Sequence, residues 1–198
     1  MAPRLVLAST SRYRAQLLQR LEIAFEQAAP TFDESAHRSA FGDGTDAAFA
    51  LQMAQGKADS LADTHNDDWV LAADQIAVLP GPPRRLLEKP GTPARAVEQL
   101  MALSGQTHRL VTGVVLQHAA SGQVRTAVDV HRLTMRTLPR AEAAAYVERH
   151  APLDCVGAYR IEDAGIKLFE RIEGADHTGI IGLPLLAVAH LLRDVGLL

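Results

Sequence analysis

The residues best suited to chemistry begin with a hydroxyl-rich turn near the start of the sequence. The apolar run Leu5–Ala8 predicts a short buried strand, and the turn Ser9, Thr10, Ser11 then leads into a helix that carries Arg14. A helix N-terminus binds anions, because its first N–H groups are unpaired and the macrodipole is positive there. This turn is therefore a candidate phosphate site, the alternative being that Ser11 only caps the helix.

A second candidate is Asp74, an acid that interrupts an otherwise apolar stretch. Residues 69–73 and 76–79 predict buried strand structure on either side of Asp74 and Gln75. Burial of an unpartnered carboxylate costs several kcal/mol, so the fold must supply a cation, hydrogen-bond donors or a metal. The alternative is an aspartate at the end of a strand that caps a turn.

The helices and loops around the hydroxyl-rich turn and Asp74 determine which other charged residues can lie near these two candidates. The pattern predicts a helix from Thr45 or Asp46 to about Asp63, and Lys57 lies at the edge of its apolar face. A lysine at such an edge usually extends to solvent. The apolar face consists of Ala47, Leu51, Ala54, Ala58 and Leu61. The adjacent acids Asp33 and Glu34 fall in a predicted loop and matter only if the fold brings them to the phosphate turn.

The remaining pattern alternates strands and helices, which predicts an α/β fold. A short strand at 25–30 precedes a connection at 36–45, and a proline-rich hairpin tip spans 80–90. Two strands, at 107–118 and 124–137, are joined by a hairpin turn at 120–123. Helices are predicted from Thr92 to Gly105, from Pro139 to His150 and over 185–195. The first of these should bury Ala94, Val97, Leu100 and Met101, and the last should pack deep in the core.

Composition narrows the class of protein. The 198 residues are 47% hydrophobic and 22% charged, and the net charge of -3 argues against a duplex nucleic acid partner. No run reaches the ~18 apolar residues of a membrane span. The single cysteine, Cys155, cannot form an internal disulfide, so a reduced, cytoplasmic compartment is expected. The eight histidines lack metal-ligand spacing, and the glycines form neither a P-loop nor a dinucleotide fingerprint.

Several motifs together resemble one known family. The segments LASTSRYRAQLL, FDES, LAADQIAVL, EKP, SGQTHRLVTGVVL, DCVGAYRIED and GIIGLPL occur in the order and spacing of the Maf nucleoside triphosphate pyrophosphatases, over residues 4 to about 195. Within that family the chain resembles the 7-methyl-GTP branch. Tyr13, Gln75 and Glu162 carry this finer resemblance, because the dTTP/UTP branch has arginine, threonine and glutamine at these positions.

The resemblance implies an overall architecture. It implies a long mixed, twisted sheet flanked by helices, as in ITPase-like proteins, with two lobes and a central cleft within one domain over residues 1–198. Homodimers are frequent in the family, so a homodimer is a possible assembly.

The resemblance also assigns roles to individual residues. Ser9, Ser11 and Arg14 match the phosphate loop, and Lys57 and Lys89 match motif lysines that bind phosphate. Asp74 matches the catalytic acid, and with Glu34 it would hold Mg²⁺ or Mn²⁺. Three positions depart from the family pattern, namely Arg12 in place of proline, Ala15 in place of a basic residue and Glu88 in place of glycine.

The chemistry implied is hydrolysis at the α-phosphorus of a nucleoside triphosphate, which gives a monophosphate and pyrophosphate. The cations and a hard metal ion would neutralise the tail, and Asp74 would accept the proton of the attacking water or help hold the metal. Two alternatives remain. One is a dTTP/UTP-type or broad house-cleaning pyrophosphatase, and the other is a nucleotide-binding regulator of cell division without catalysis.

Overall fold

The computed structural model describes residues 4–37, 41–42 and 44–198, which contain a seven-stranded sheet. Its strands are β1 (Leu5–Ala8), β2 (Phe25–Ala28), β3 (Trp69–Leu79), β4 (Arg85–Leu87), β5 (Thr107–His118), β6 (Gln123–Met135) and β7 (Phe169–Glu173). Its helices are α1 (Arg12–Gln19), α2 (Glu34–His37), α3 (Asp46–Asp59), α4 (Pro93–Leu103), α5 (Arg140–His150), α6 (His177–Ile181) and α7 (Leu185–Asp194).

The sheet is mixed, which confirms the predicted fold class. Its order is β2-β1-β3-β5-β6-β7, with β4 paired to β3 outside this path. β1 is parallel to β2 and β3, whereas β4 and β7 are antiparallel to their neighbours. The chain forms two compact units, the second of which comprises Ile76–Leu110 and Val130–Ala175. The single domain with a central cleft, implied by the resemblance, stays a prediction.

In the first unit the sheet is covered on both faces, which explains why its strands are continuous apolar runs. Leu5 and Leu7 of β1 pack with residues of α1 and α7, and Val6 and Ala8 pack with residues of α3. Successive side chains of a strand point to opposite faces, so each face receives alternate residues. This double cover fixes α1 on one side and α3 on the other.

The second unit has an aromatic core around a buried histidine. His108 is fully buried, and its Nε2 lies 2.7 Å from the hydroxyl of Tyr159. The Tyr159 ring packs edge-on against Phe169 at 4.8 Å. Burial lowers the pKa of His108 from 6.5 to about 4, because desolvation disfavours the imidazolium.

This histidine should make the stability of the protein depend on pH. Unfolded His108 takes up a proton below about pH 6.5, but the folded protein resists protonation until about pH 4, so stability falls as the pH drops through this window. The loss amounts to about 3 kcal/mol at most. Urea unfolding at several pH values should show a smaller loss for His108→Gln than for the wild type. An identical pH dependence in both proteins would contradict this.

The structure corrects several predicted elements. β3 is one continuous strand, so Asp74 lies within it and does not cap a turn at its end. Glu34 begins the short helix α2 and not a loop, and α3 ends at Asp59. The buried face of α3 contains Phe49, Ala50, Met53 and Lys57 besides Ala54 and Ala58. The apolar periodicity placed Lys57 at the edge of the buried face, whereas in the structure Lys57 belongs to that face.

The burial of two helices differs from the prediction in part. α4 buries Ala96, Leu100 and Leu103, so of the four predicted residues only Leu100 is buried. α7 packs in the core as predicted, with Val188 and Leu192 fully buried, but its other side is open and Leu186 is 57% exposed. Apolar composition alone did not reveal this exposed side.

Within the described ranges, no helix is long and apolar enough to cross a membrane. Parts of the predicted connection at 36–45, namely residues 38–40 and 43, lie outside the described residues.

Candidate active site

The turn after β1 places two hydroxyl groups at the N-terminus of α1. Ser11 is the N-cap residue, and its side chain accepts a hydrogen bond from the backbone N–H of Arg14 at 3.4 Å. The buried Ser9 hydroxyl accepts one from the N–H of Ser11 at 3.1 Å. Ser11 therefore does cap the helix, as the alternative interpretation expected. Capping and phosphate binding are compatible, because a serine hydroxyl has a donor hydrogen besides its acceptor lone pairs.

Arg14 is anchored by a segment far along the chain. Its Nε donates to the carbonyl of Gly182, immediately after α6, at 2.9 Å. Burial lowers the pKa of its guanidinium, and the charges of Asp74 and Glu34 act in the opposite direction. Because Gly182 accepts its hydrogen bond from Nε, the two terminal nitrogens of Arg14 do not donate to Gly182. Arg14 thus stands within electrostatic range of both predicted metal ligands.

The centre of the site is an ion-paired lysine between two carboxylates. Lys57 Nζ lies 2.5 Å from Asp74 Oδ1 and 2.8 Å from Glu34 Oε1. Lys57 and Asp74 are buried, and the Glu34 side chain is 38% exposed. Asp74 thus obtains the cationic partner that its burial required. These three predicted residues are brought together by the fold.

A close approach of helix to sheet makes this ion pair possible. Gly113 of β5 faces the backbone of α3, where an added Cβ would lie 2.5 Å from the carbonyl carbon of Ala50. Only a residue without a side chain allows this contact. The helix therefore rests directly on the strand, and Lys57 turns inward to Asp74.

A second glycine holds Glu34 in place. The ring of Phe32 lies on α3 at Gly56, so closely that any Cβ there would overlap the ring. Phe32 is two residues before Glu34, and Gly56 directly precedes Lys57. The aromatic contact therefore places the carboxylate beside the ammonium. The sequence pattern did not reveal the contact between Phe32 and Gly56, although a glycine within an amphipathic helix is a recognisable sign of close packing.

The variant Gly56→Ala is expected to lower kcat/KM while the protein stays folded. Alanine favours the helix by about 1 kcal/mol, but its methyl group displaces Phe32 and with it Glu34. A misplacement of about 1 Å in an active site can cost roughly 10²-fold, so a loss of ten- to a hundredfold is expected. Steady-state kinetics would measure it. The exposed Gln52 on the same helix gives the control Gln52→Ala, and equal kinetics of both variants would contradict this prediction.

Two predicted base-recognition residues lie in the first unit, and both have partners within the protein. The guanidinium of Arg12 lies over the Tyr13 ring at 4.8 Å and donates to its hydroxyl at 2.9 Å. The amide nitrogen of Gln75 donates to the Thr112 hydroxyl at 3.0 Å and to the Gly179 carbonyl at 2.6 Å. Both amide hydrogens are used, so Gln75 can offer a ligand only its carbonyl oxygen.

The two remaining site residues belong to the second unit. Lys89 is exposed and lines a groove between β4 and α4. Glu162 is exposed and follows Arg160, whose side chain is bound to the carbonyl of His150 and to Asp154. Arg160 thus fixes the backbone just before Glu162. The approach of Lys89 and Glu162 to the residues around Asp74 stays a prediction.

The carboxylate pair suits a hard divalent cation. Mg²⁺ commonly binds one or two carboxylates and completes its coordination with water and substrate phosphate. Glu34 and Asp74 are such a pair, and no group of three or more potential ligands occurs among the residues that the structure describes. The donor set therefore fits a metal ion that is bound together with a phosphate ligand.

Solved structures with a similar fold place the chain in a structural class. A HAM1 protein from Coxiella burnetii matches with a TM-score of 0.55 and 17% identity, over 97% of this chain and 99% of that chain. At this identity the likeness concerns the fold alone, which is the mixed α/β fold of the HAM1 structure.

Sequence comparison identifies the family. Residues 4–195 match the model of the Maf-like proteins, and the chain belongs to the Maf family. A protein of Hahella chejuensis named 7-methyl-GTP pyrophosphatase is 41% identical over 98% of this chain and 95% of its own length. Proteins of the same name from Pseudomonas aeruginosa and Xanthomonas oryzae are 38% and 40% identical, over 98% and 99% of this chain and 97% and 98% of their own lengths. The resemblance found in the motifs is thus confirmed.

Proposed function

We propose that this protein hydrolyses 7-methyl-GTP to 7-methyl-GMP and pyrophosphate. The observation that carries the proposal is the buried Lys57 between Glu34 and Asp74, within electrostatic range of Arg14. The positive charges of Lys57 and Arg14 balance the negative charges of the Glu34 and Asp74 carboxylates in the free protein. A triphosphate brings up to four further negative charges, and a divalent cation at the carboxylates would offset part of them.

Asp74 is proposed as the residue that accepts the proton of the attacking water. Its Oδ1 is paired with Lys57, and in the described part of the chain Oδ2 has no hydrogen-bond donor. That oxygen is available to a water molecule or to a metal ion. Glu34 and Asp74 would hold Mg²⁺ or Mn²⁺, which when bound neutralises phosphate charge and acidifies water. Lys57 keeps both carboxylates close to each other.

The remaining cations are proposed to bind the phosphate tail. The Ser9 and Ser11 hydroxyls, the first N–H groups of α1 and Arg14 form an anion site on one turn. Lys89 is proposed to bind the outer phosphates. Contacts along the whole tail favour release of pyrophosphate as a unit over removal of the terminal phosphate.

Turnover of a panel of nucleotides by the purified protein tests this function. We expect 7-methyl-GTP to be the best substrate, and in ¹⁸O-water the label should enter the monophosphate and not the pyrophosphate. Orthophosphate as the first labelled product would overturn the proposed bond cleavage. A preference for dTTP or UTP would assign the chain to the other branch, and binding without turnover would indicate a nucleotide-binding regulator.

Base selectivity is proposed to come from Glu162, Tyr13 and Gln75. Guanine presents two neighbouring donors, N1–H and the exocyclic amine, and a carboxylate can accept both. The carbonyl oxygen of Gln75 is likewise an acceptor, since its amide hydrogens are used within the protein. Methylation at N7 makes the base cationic, which strengthens hydrogen bonds to Glu162 and the attraction to an aromatic ring. Because Arg12 covers one face of Tyr13, the base would stack on the other.

The variant Glu162→Gln is expected to lose kcat/KM for 7-methyl-GTP far more than for UTP. Charge-assisted hydrogen bonds contribute about 1.5–3 kcal/mol, so the selective loss should be roughly tenfold or more. Competition kinetics with both nucleotides would measure the ratio directly. The neighbouring exposed Asp163 gives the control Asp163→Asn. Equal losses on both nucleotides would mean that Glu162 does not recognise the base.

A further inference from the structure

Residues 176–186, which contain α6 and the start of α7, supply two carbonyl groups to the candidate active site. The Gly179 carbonyl accepts a hydrogen bond from the Gln75 amide at 2.6 Å. The Gly182 carbonyl accepts one from Arg14 Nε at 2.9 Å. Gly182 has a φ of +116°, a conformation that glycine adopts far more readily than other residues. One short segment therefore holds both a proposed phosphate ligand and a proposed base-recognition residue.

The helix α7 is not capped by its own N-cap residue. Pro184 occupies that position, and its side chain makes no capping hydrogen bond to the first N–H groups of the helix. The N–H of Leu186 donates instead to Asp176 Oδ2 at 2.8 Å. The N–H of Leu185 donates to the Thr178 hydroxyl at 2.9 Å. Two side chains at the start of α6 thus replace the missing cap of α7.

Asp176 is also the N-cap residue of α6, so one carboxylate joins the N-termini of both helices. Its Oδ1 accepts from the backbone N–H of Thr178 at 2.9 Å and from the Thr178 hydroxyl at 2.6 Å. Its backbone carbonyl accepts from the N–H of Gly179 at 2.8 Å. Residues 176–186 are therefore closed into a ring by hydrogen bonds, and the carbonyls of Gly179 and Gly182 belong to this ring.

Apolar packing attaches the ring to α1. Leu183 and Val188 are fully buried in the same core cluster as Leu17 and Leu18 of α1. Because α1 also carries Arg14, the ring and the arginine have a common support. Apolar contacts have no directional preference, so they anchor the ring without orienting its carbonyl groups. The orientation of the carbonyls depends on the hydrogen bonds that close the ring.

We propose that Asp176 is a positioning residue for nucleotide binding. Together with Thr178 it fixes the conformation of residues 176–186, which hold Arg14 at the phosphate tail and Gln75 at the base. Asp176 acts through two backbone carbonyls, so its role requires no contact with the nucleotide. This inference rests on the proposed function, because it uses the roles proposed there for Arg14 and Gln75.

Calorimetric binding of pyrophosphate in the presence of Mg²⁺ tests the effect on Arg14. Asp176→Asn has one acceptor oxygen in place of two, so one helix N-terminus loses its cap. Thr178→Val removes the hydroxyl group, whereas Thr178→Ser retains it. We expect Asp176→Asn and Thr178→Val to weaken binding about tenfold, and Thr178→Ser to bind like the wild type. The exposed Asp194 at the end of α7 gives the control Asp194→Asn, which should also bind like the wild type.

Two further readouts distinguish positioning from a general loss of stability. Arg14→Met should weaken pyrophosphate binding by itself, and the addition of Asp176→Asn should then cause little further loss, because both changes affect the same contact. Asp176→Asn should also lower the ratio of kcat/KM for 7-methyl-GTP to that for UTP, through Gln75. A residue with a purely structural role would lower the urea concentration of unfolding and leave the affinity and this ratio unchanged.

The outcomes separate this inference from the proposed function. Wild-type pyrophosphate affinity of Arg14→Met would contradict the proposed phosphate site, and with it this inference. A loss in Arg14→Met with wild-type affinity of Asp176→Asn and Thr178→Val would overturn this inference alone. So would additive losses in the double variant, or equal losses in Thr178→Val and Thr178→Ser. Circular dichroism would confirm that the variants are folded, and Thr178→Val decides the matter if Asp176→Asn does not fold.

Discussion

Asp74→Asn is expected to reduce turnover by about 10²–10⁴-fold, and by more if a metal ligand is lost as well. Asparagine keeps the shape of the side chain but cannot accept the proton of water. The fold should survive, because Lys57 retains its ion pair with Glu34 at 2.8 Å and can still donate to the asparagine oxygen. Single-turnover kinetics with 7-methyl-GTP would measure the loss, and circular dichroism would confirm the fold.

Asp68 provides a matched control for this variant. It is also a buried aspartate of the first unit, and it accepts hydrogen bonds from the side chain of Arg4 at 3.1 and 3.3 Å. Asp68→Asn makes the same chemical change directly before β3, so it should lower stability and leave turnover nearly unchanged. Wild-type turnover of Asp74→Asn would show that Asp74 is structural and that the proposed chemistry is wrong.

Lys57→Met is expected to destabilise the protein by about 3 kcal/mol and to remove activity. Removal of one partner of a buried ion pair typically costs about 3–5 kcal/mol, because an uncompensated charge remains. The lower end applies here, since the Glu34 side chain is 38% exposed and water screens it. In this variant Glu34 and Asp74 also repel each other. Urea unfolding at neutral pH would measure the change in the free energy of unfolding.

Two further variants separate the ion pair from general effects of substitution. The double variant Lys57→Met with Asp74→Asn should be more stable than Lys57→Met alone, because it removes the unpaired charge. Arg4→Met breaks the pair with Asp68, but the Arg4 side chain is 59% exposed and water screens it, so this variant should lose far less stability than Lys57→Met. If Lys57→Met unfolded at the wild-type urea concentration, the buried ion pair would contribute nothing to stability.

The sequence predicted local structure more reliably than it predicted which faces are buried. The turn from β1 to α1 has its own cap in Ser11, and the hairpin at β3 and β4 has its prolines, so both follow from neighbouring residues. Asp74 was recognisable because a buried acid demands a partner. Its partner was not recognisable, since the burial of Lys57 depends on Gly113, which is distant in sequence and touches the backbone of α3.

The candidate site shows the same division between local and distant information. Spacing alone could not place Glu34, because the contact between Phe32 and Gly56 that holds it joins two separate segments. Nor could it show that Gln75 has both amide hydrogens occupied, or that Arg12 covers the Tyr13 ring. These contacts arise from tertiary packing. The family motifs supplied the residues, and the fold supplied their partners.

The bond from Arg14 to Gly182 spans 168 positions of the chain, and the bond from Gln75 to Gly179 spans 104. Contacts of such sequence separation form late and slowly, because a long loop must close before they contribute. During synthesis on the ribosome, the turn after β1 emerges long before the segment around α6. A nascent chain therefore lacks the anchor of Arg14, which is proposed to bind phosphate, until the segment around α6 has been made. Phosphate binding at Arg14, as proposed, would then report that the segment around α6 has folded onto α1.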